Sequence, residues 1–353
     1  MNAAERELAT LCASVGPPDH RAARLSDMRA RTAARPAGSL GALDAAARQA
    51  ASVLGRPCPG PLPLVASVLA GDHGVARYGT SPHPQRATGA LLRMLRAGQA
   101  PLNLLADRAG ARIETADLGL YEDSGDPRYK VGTCTRAIDR EDAMARREAL
   151  AAVAAGARFA DERIGGGALV AVGEIGVGNT TAAAALAARL LDLPADQVVG
   201  AGSGLAPEAL AGKKDVVRRA VERSRTAVPG EDTIGLLASL GGYEICGNVG
   251  VILAAARNRC LVVLDGCITA VAAVAAVRLC PAAREYLVAG HVSTEPAHRP
   301  LLRTLDLVPL LDLGMRLGSA SGALLAAGLV QSALVVAALT PAARVFGLTG
   351  GPS

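Results

Sequence analysis

The segment GEIGVGNTT, beginning at Gly173, sets Gly176 and Gly178 directly before Asn179 and Thr180, with an alanine-rich stretch behind them. Glycines at such places let the main chain approach an anion. A helix start directs free N–H groups at that anion, and threonine hydroxyls add donors. A phosphate suits the pattern, and an ordinary glycine-rich strand-to-helix turn has the same spacing. No lysine follows the last glycine, so this is not a Walker loop. A second glycine cluster, GAGSG from Gly200 with Gly202 at its centre, precedes Lys213 and Lys214 at helical distance. A lysine there can give a phosphate its point charge, and it suits a solvated helix face equally well.

Asp72 and His73 stand in GDHG, just after an apolar run. A histidine beside an aspartate at a strand end can orient a ligand or act as an acid, or it can simply cap a turn. Asp265, after Val262-Val263-Leu264, has the same placement and the same two readings. His291, Ser293, Glu295 and His298 form a polar cluster behind another apolar run, but their spacing matches no standard zinc motif, so no metal is expected.

Something must hold these loops together. Short β-branched runs alternate with alanine-rich helical stretches, the pattern of an α/β chain whose parallel sheet is covered on both faces. Strands are expected at residues 64–69, 112–117, 168–172, 260–264, 285–289 and 308–313. In such sheets ligands gather beyond the carboxyl ends of the strands, which is where GDHG, GEIGVGNTT, DGCIT and GHVSTEP fall. The polar, helical first 40 residues break at Arg35-Pro36-Ala37-Gly38-Ser39. They are expected to join residues 320–353 as a small helical domain beside a catalytic domain of residues 41–319.

Composition excludes other classes. The net charge of +5 is spread among opposite charges, and with 2% aromatics and no Trp the chain lacks the stacking surfaces of a nucleic-acid binder. Seven cysteines form no CxxC pair, and the first residues, MNAAERELAT, carry no apolar run. Reduced thiols and a cytoplasmic location are expected. The run at 320–339 is long enough to span a bilayer but contains Ser321, Gln331 and Ser332, and is read as a buried helix.

The loops carry a resemblance when taken in order. PAGSLGALDAAARQAA from Pro36, GDHGVARYGTSPHPQRATGALL from Gly71, GEIGVGNTTAAAAL, GAGSGLAPEALAGKK, GGYEICGN from Gly241, VVLDGCITAVAA, AGHVSTEPAH and LLDLGMRLGSASGA extend over residues 35–323. In this order they resemble the nicotinate-nucleotide:dimethylbenzimidazole phosphoribosyltransferases. The resemblance implies a Rossmann-like parallel sheet, a small helical domain, a homodimer, and no metal or redox cofactor. It implies that an azole nitrogen displaces nicotinate from a nucleotide with inversion, a carboxylate taking the azole proton. On the donor side Gly176, Gly178, Asn179, Thr180, Gly202, Lys213, Asp265 and Ser293 match the family pattern, as does Glu174.

The acceptor side departs from it. Where the family reads LGEGTG this chain has Leu317-Gly318-Ser319-Ala320-Ser321-Gly322, so Ser319 replaces the glutamate regarded as the base. The family's SAYP becomes Ser81-Pro82-His83-Pro84, its pocket glutamine falls at Ala90, and the Arg of HRS falls at Val292. Asp72, His73, Ser81, His83, Ala90, Leu317 and Ser319 are the expected acceptor wall. Because the donor loops persist, the expectation is a changed acceptor: S-glycosylation of a thioimidazole such as ergothioneine, in lincosamide-type antibiotic assembly, from a small-molecule sugar donor. The alternatives are an authentic phosphoribosyltransferase of cobalamin lower-ligand synthesis whose base has moved to Glu174 or His83, and a catalytically silent binding paralogue.

Overall fold

The computed structural model describes residues 2–346. Five apolar runs form one parallel sheet: β1 (Leu64–Gly71), β2 (Arg112–Gly119), β3 (Leu169–Ile175), β4 (Leu261–Leu264) and β5 (Leu287–Ala289). Their order is β2-β1-β3-β4-β5. All residues of β1, β3, β4 and β5 are buried, as a sheet covered on both faces requires. The chain winds outward to β2 on one side of β1 and to β3, β4 and β5 on the other. Strand order therefore reverses between β1 and β3, the switch point at which sheets of this class hold ligands in a crevice beyond the strands' carboxyl ends.

The sixth expected strand, 308–313, does not form. Leu311 makes an isolated bridge with His291, its N–H donating to the Gly290 carbonyl, and the segment leaves the sheet edge again. Pro309 has no N–H for a ladder, and Val308 is 82% exposed, so this run has neither the donors nor the burial that hold the others.

Helices Arg146–Phe159 and Tyr243–Arg257 pack closely on one another and over the sheet. The helix Ser321–Leu339, the one described helix both long and apolar enough to cross a membrane, packs on helix Ala42–Leu54 and against β3 and β4. Its N-terminus is held by Asp265, whose carboxylate accepts from the N–H groups of Ala320, Gly322 and Ala323 at 2.8–3.2 Å. The N-terminal helix His20–Thr32 meets the end of this helix through Arg29, which donates to the Ala338 carbonyl, and through a bridge between Ala33 and Ala342. Residues 347–353, assigned by sequence to the helical domain, lie outside the described residues.

Candidate active site

The crevice at the switch point is built by the turns that leave β1 and β3. Gly178 ends the second turn at φ +95°, a conformation that side chains disfavour, and an added Cβ would meet the Cβ of His73 at 3.1 Å. Among the described residues no side chain caps the helix Asn179–Leu191 that follows; the N–H groups of Asn179 and Thr181 donate to the Gly176 and Gly178 carbonyls at 3.2 and 3.0 Å.

On one flank, Lys213 reaches in from helix Pro207–Ala227. It is 1% exposed, and its Nζ donates to Thr180 Oγ1 at 2.9 Å and to the Gly200 carbonyl at 2.8 Å. Burial pulls its pKa below the ordinary lysine range, with Glu295 the leading opposing influence. Among the described residues no carboxylate forms an ion pair with Lys213. Glu295 is engaged elsewhere, accepting from the Gly202 N–H at 2.8 Å. Ser293, two residues before Glu295, has its N–H and hydroxyl both on His298 Nδ1. A buried cation without a dedicated counter-ion, beside an uncapped helix start and two hydroxyls, is a place for an anion.

The other flank is acidic. Glu174, at the end of β3, is 6% exposed and accepts from Asn179 Nδ2. Burial, then Glu244 and Asp265, hold its carboxyl well above the ordinary carboxylate range, against the bond from Asn179. His73 Nε2 and Glu244 Oε1 form a fully buried pair at 2.7 Å. Gly242 makes room for that pair, since a Cβ there would collide with the His73 ring and with Glu244 Oε2 at 2.5 Å. Asp72 accepts from the Tyr121 N–H at 2.9 Å, and burial raises its pKa against the influence of Thr88 and that N–H.

The structure thus brings together Asp72, His73, Glu174, Gly176, Gly178 and Asn179 at the switch point, with Thr180, Gly202, Lys213 and Ser293 on the adjoining flank. Asp265 is present, its oxygens engaged by the Ser321–Leu339 helix start and by His291 at 3.5 Å. Ser319 is half-buried at φ +56°, followed by Ala320 at φ +68°, on the turn entering that helix. Ser81 is half-buried, and His83, Ala90 and Leu317 are exposed. Sequence reasoning missed Glu244. The signal for it was the Gly241-Gly242 pair, which leaves space for a charged side chain to fold back toward β1.

A family model described as phosphoribosyltransferase matches residues 15–343. The chain belongs to this phosphoribosyltransferase family. It is 40% identical over 326 residues to the nicotinate-nucleotide–dimethylbenzimidazole phosphoribosyltransferase of Chloroflexus aurantiacus, covering 90% of this chain and 92% of that one. To the enzyme of the same name from Azotobacter vinelandii it is 42% identical over 323 residues, covering 90% and 91%. Among solved structures it is similar to CobT from Thermus thermophilus, with a TM-score of 0.89 at 35% identity over 94% of this chain and all of that one. Membership makes the protein a pentosyl-type transferase with the Rossmann-like architecture expected.

These relatives overturn the S-glycosyltransferase expectation. Loss of the family's glutamate at Ser319 and the changes at His83, Ala90 and Val292 suggested a thioimidazole acceptor. Yet identity near 40% along nine-tenths of the chain ties it to proteins named for transfer to dimethylbenzimidazole. A few substitutions in turns and on exposed positions are a slender basis for a new acceptor when the rest of the chain keeps the family's sequence and fold. The alternative, a phosphoribosyltransferase of cobalamin synthesis, is the better supported reading.

Proposed function

We propose that this protein transfers the phosphoribosyl group of nicotinate mononucleotide to dimethylbenzimidazole. The observation that carries the reading is Lys213, a buried cation lacking an ion-pair partner among the described residues, held by Thr180 beside the uncapped start of helix Asn179–Leu191. A phosphate dianion there supplies the missing counter-charge. The ribose then extends toward the acidic flank, and the donor's cationic pyridinium meets a concentration of carboxylates.

In the reaction an azole nitrogen bonds to the anomeric carbon as the bond to the pyridinium nitrogen breaks, its electron pair leaving with the nicotinate anion, whose ring nitrogen becomes neutral. The positive charge passes to the azole, which must lose its N–H proton. With serine at 319, Glu174 is the residue we assign to take it. A carboxylate whose pKa is raised by burial holds a captured proton more tightly than an ordinary one, and the bound pyridinium favours its ionised form until the proton arrives. His73 and Glu244 hold the wall beside it.

The enzyme is proposed to work in the cytoplasm, where its seven free cysteines remain reduced. It is proposed to be a homodimer, a state that would cover exposed apolar side chains such as Leu325, Val335 and Leu339 on helix Ser321–Leu339; light scattering tests this. The reaction is tested by incubating purified protein with nicotinate mononucleotide and dimethylbenzimidazole. Equimolar nicotinate and α-ribazole phosphate are expected. Donor binding without release of nicotinate would favour a silent paralogue and sink the proposal.

A further inference from the structure

Ser293 and His298 form an arrangement whose hydrogen bonding fixes more than either residue does alone. His298 opens helix His298–Thr304, is fully buried, and receives the main-chain N–H of Ser293 on Nδ1 at 2.9 Å. A main-chain N–H can only donate, so Nδ1 carries a lone pair and the ring proton is on Nε2. The Ser293 hydroxyl lies 3.0 Å from the same Nδ1. Two donors therefore share one lone pair, and only the hydroxyl is free to turn away. Burial, with His291 edge-on to the ring at 6.0 Å between centroids, keeps the imidazole neutral, its pKa pushed down to about 3. Among the described residues the Nε2 atom has no hydrogen-bond partner, a cost for a buried N–H. A purely structural ring would be expected to bond both nitrogens, so the side that is satisfied, toward Ser293, is the side that has been built.

We propose that His298 is a positioning residue for the donor phosphate, acting through Ser293. In the empty site the hydroxyl proton rests against Nδ1. When a phosphate oxygen arrives beside Thr180 and Lys213, the hydroxyl turns to donate to it, and Nδ1 keeps the main-chain N–H. The Ser293 hydroxyl and His298 Nδ1 keep a partner in either state, and no proton is transferred. The imidazole thus holds the Ser293 main chain at a fixed distance from the anion and gives its hydroxyl a second resting place. The inference rests on the donor reading above, in that the anion is taken to be the phosphate of nicotinate mononucleotide.

The test compares His298→Leu, His298→Asn, His298→Gln and Ser293→Ala. Asn puts an acceptor oxygen near the place of Nδ1, whereas Gln places its amide near Nε2 and Leu has no acceptor. The readouts are KM and kcat with nicotinate mononucleotide and with nicotinate riboside, which lacks the phosphate, and calorimetric binding of inorganic phosphate. His298→Leu and His298→Gln should raise KM for the mononucleotide, by up to the about 10- to 100-fold that one hydrogen bond to a charged group is worth, because the Ser293 main chain loses the acceptor that holds its hydroxyl in place. Their kcat/KM on the riboside should stay within about 2-fold of the parent's. His298→Asn should recover most of the loss, and the Ser293→Ala/His298→Leu double variant should be no worse than Ser293→Ala alone.

An equal loss on the riboside, no rescue by Asn, or additive effects in the double variant would overturn the proposal. If the parent turns over neither nucleoside yet binds phosphate in a way that depends on both residues, the device stands and the donor reading fails. If the parent binds no phosphate, both fall.

Discussion

Replacing Lys213 with methionine separates the two readings of that residue, because they predict different outcomes for stability and donor affinity. Met has nearly the volume of the lysine stem and fills the same channel without the charge. The substitution strips Thr180 Oγ1 and the Gly200 carbonyl of their donor, at a cost of about 1–3 kcal/mol for a stranded carbonyl. Against that, a side chain 1% exposed no longer brings an ammonium out of water without an ion-pair partner among the described residues, a relief of several kcal/mol. The two nearly cancel, so the melting temperature should stay within about 3 °C of the parent's. Donor affinity should not survive. A hydrogen bond from a charged group to phosphate is worth about 1.5–3 kcal/mol, or roughly 10- to 150-fold in Kd. Calorimetric titration with nicotinate mononucleotide, beside a thermal melt, reads both quantities. The parent should also lose donor affinity as pH rises toward Lys213's lowered pKa, below the ordinary lysine range, and the Met variant should lack that alkaline limb. Unchanged affinity, or loss of the fold, would show that Lys213 is a structural residue and that the anion site has been misplaced.

Glu174→Gln should lower turnover by about 10²- to 10⁴-fold while donor Kd changes little, which single-turnover kinetics with a binding titration will read. Its thermal behaviour has a definite sign. The folded protein binds this proton more tightly than the unfolded chain does, so stability from it is full below the ordinary carboxylate range and falls as pH rises through the elevated pKa. The Gln variant should therefore melt above the parent near about pH 8 and close to it near about pH 4. Ser319→Glu placed on the Glu174→Gln background should restore part of the α-ribazole phosphate formation, since Gly173 lies directly against Ala320 and a carboxylate at 319 adjoins the same site; a double variant as inactive as the single one would argue that position 319 does not face the acceptor. Asp265→Ala should cost at least about 2 kcal/mol in urea unfolding, because three N–H groups at the start of helix Ser321–Leu339 lose their acceptor, and a loss under about 0.5 kcal/mol would contradict that account.

The sequence by itself determined the parallel α/β architecture and the loops where chemistry gathers. Strands buried on both faces must be continuous apolar runs, so five of them could be located directly, and glycine-rich turns behind them marked the carboxyl ends. It also carried the family, through motifs whose order leaves little room for coincidence. Local pattern was insufficient wherever the outcome depended on a neighbour distant in the chain. Residues 308–313 have a strand's composition, but Pro309 and the absence of a covering layer over Val308 leave them a single bridge to His291. Strand order, set by packing rather than by any one segment, placed the reversal between β1 and β3 and so brought His73 beside Gly178. Glu244 lies 171 residues from His73, and only the folded chain presses them into one buried pair. Substitutions at Ser319, His83 and Ala90 read in sequence as a remodelled acceptor wall, yet His83 and Ala90 stand exposed and Ser319 occupies a left-handed turn. A residue's type is fixed by the sequence, but the charge it holds, the partner it meets and the water it loses are properties of the packed structure.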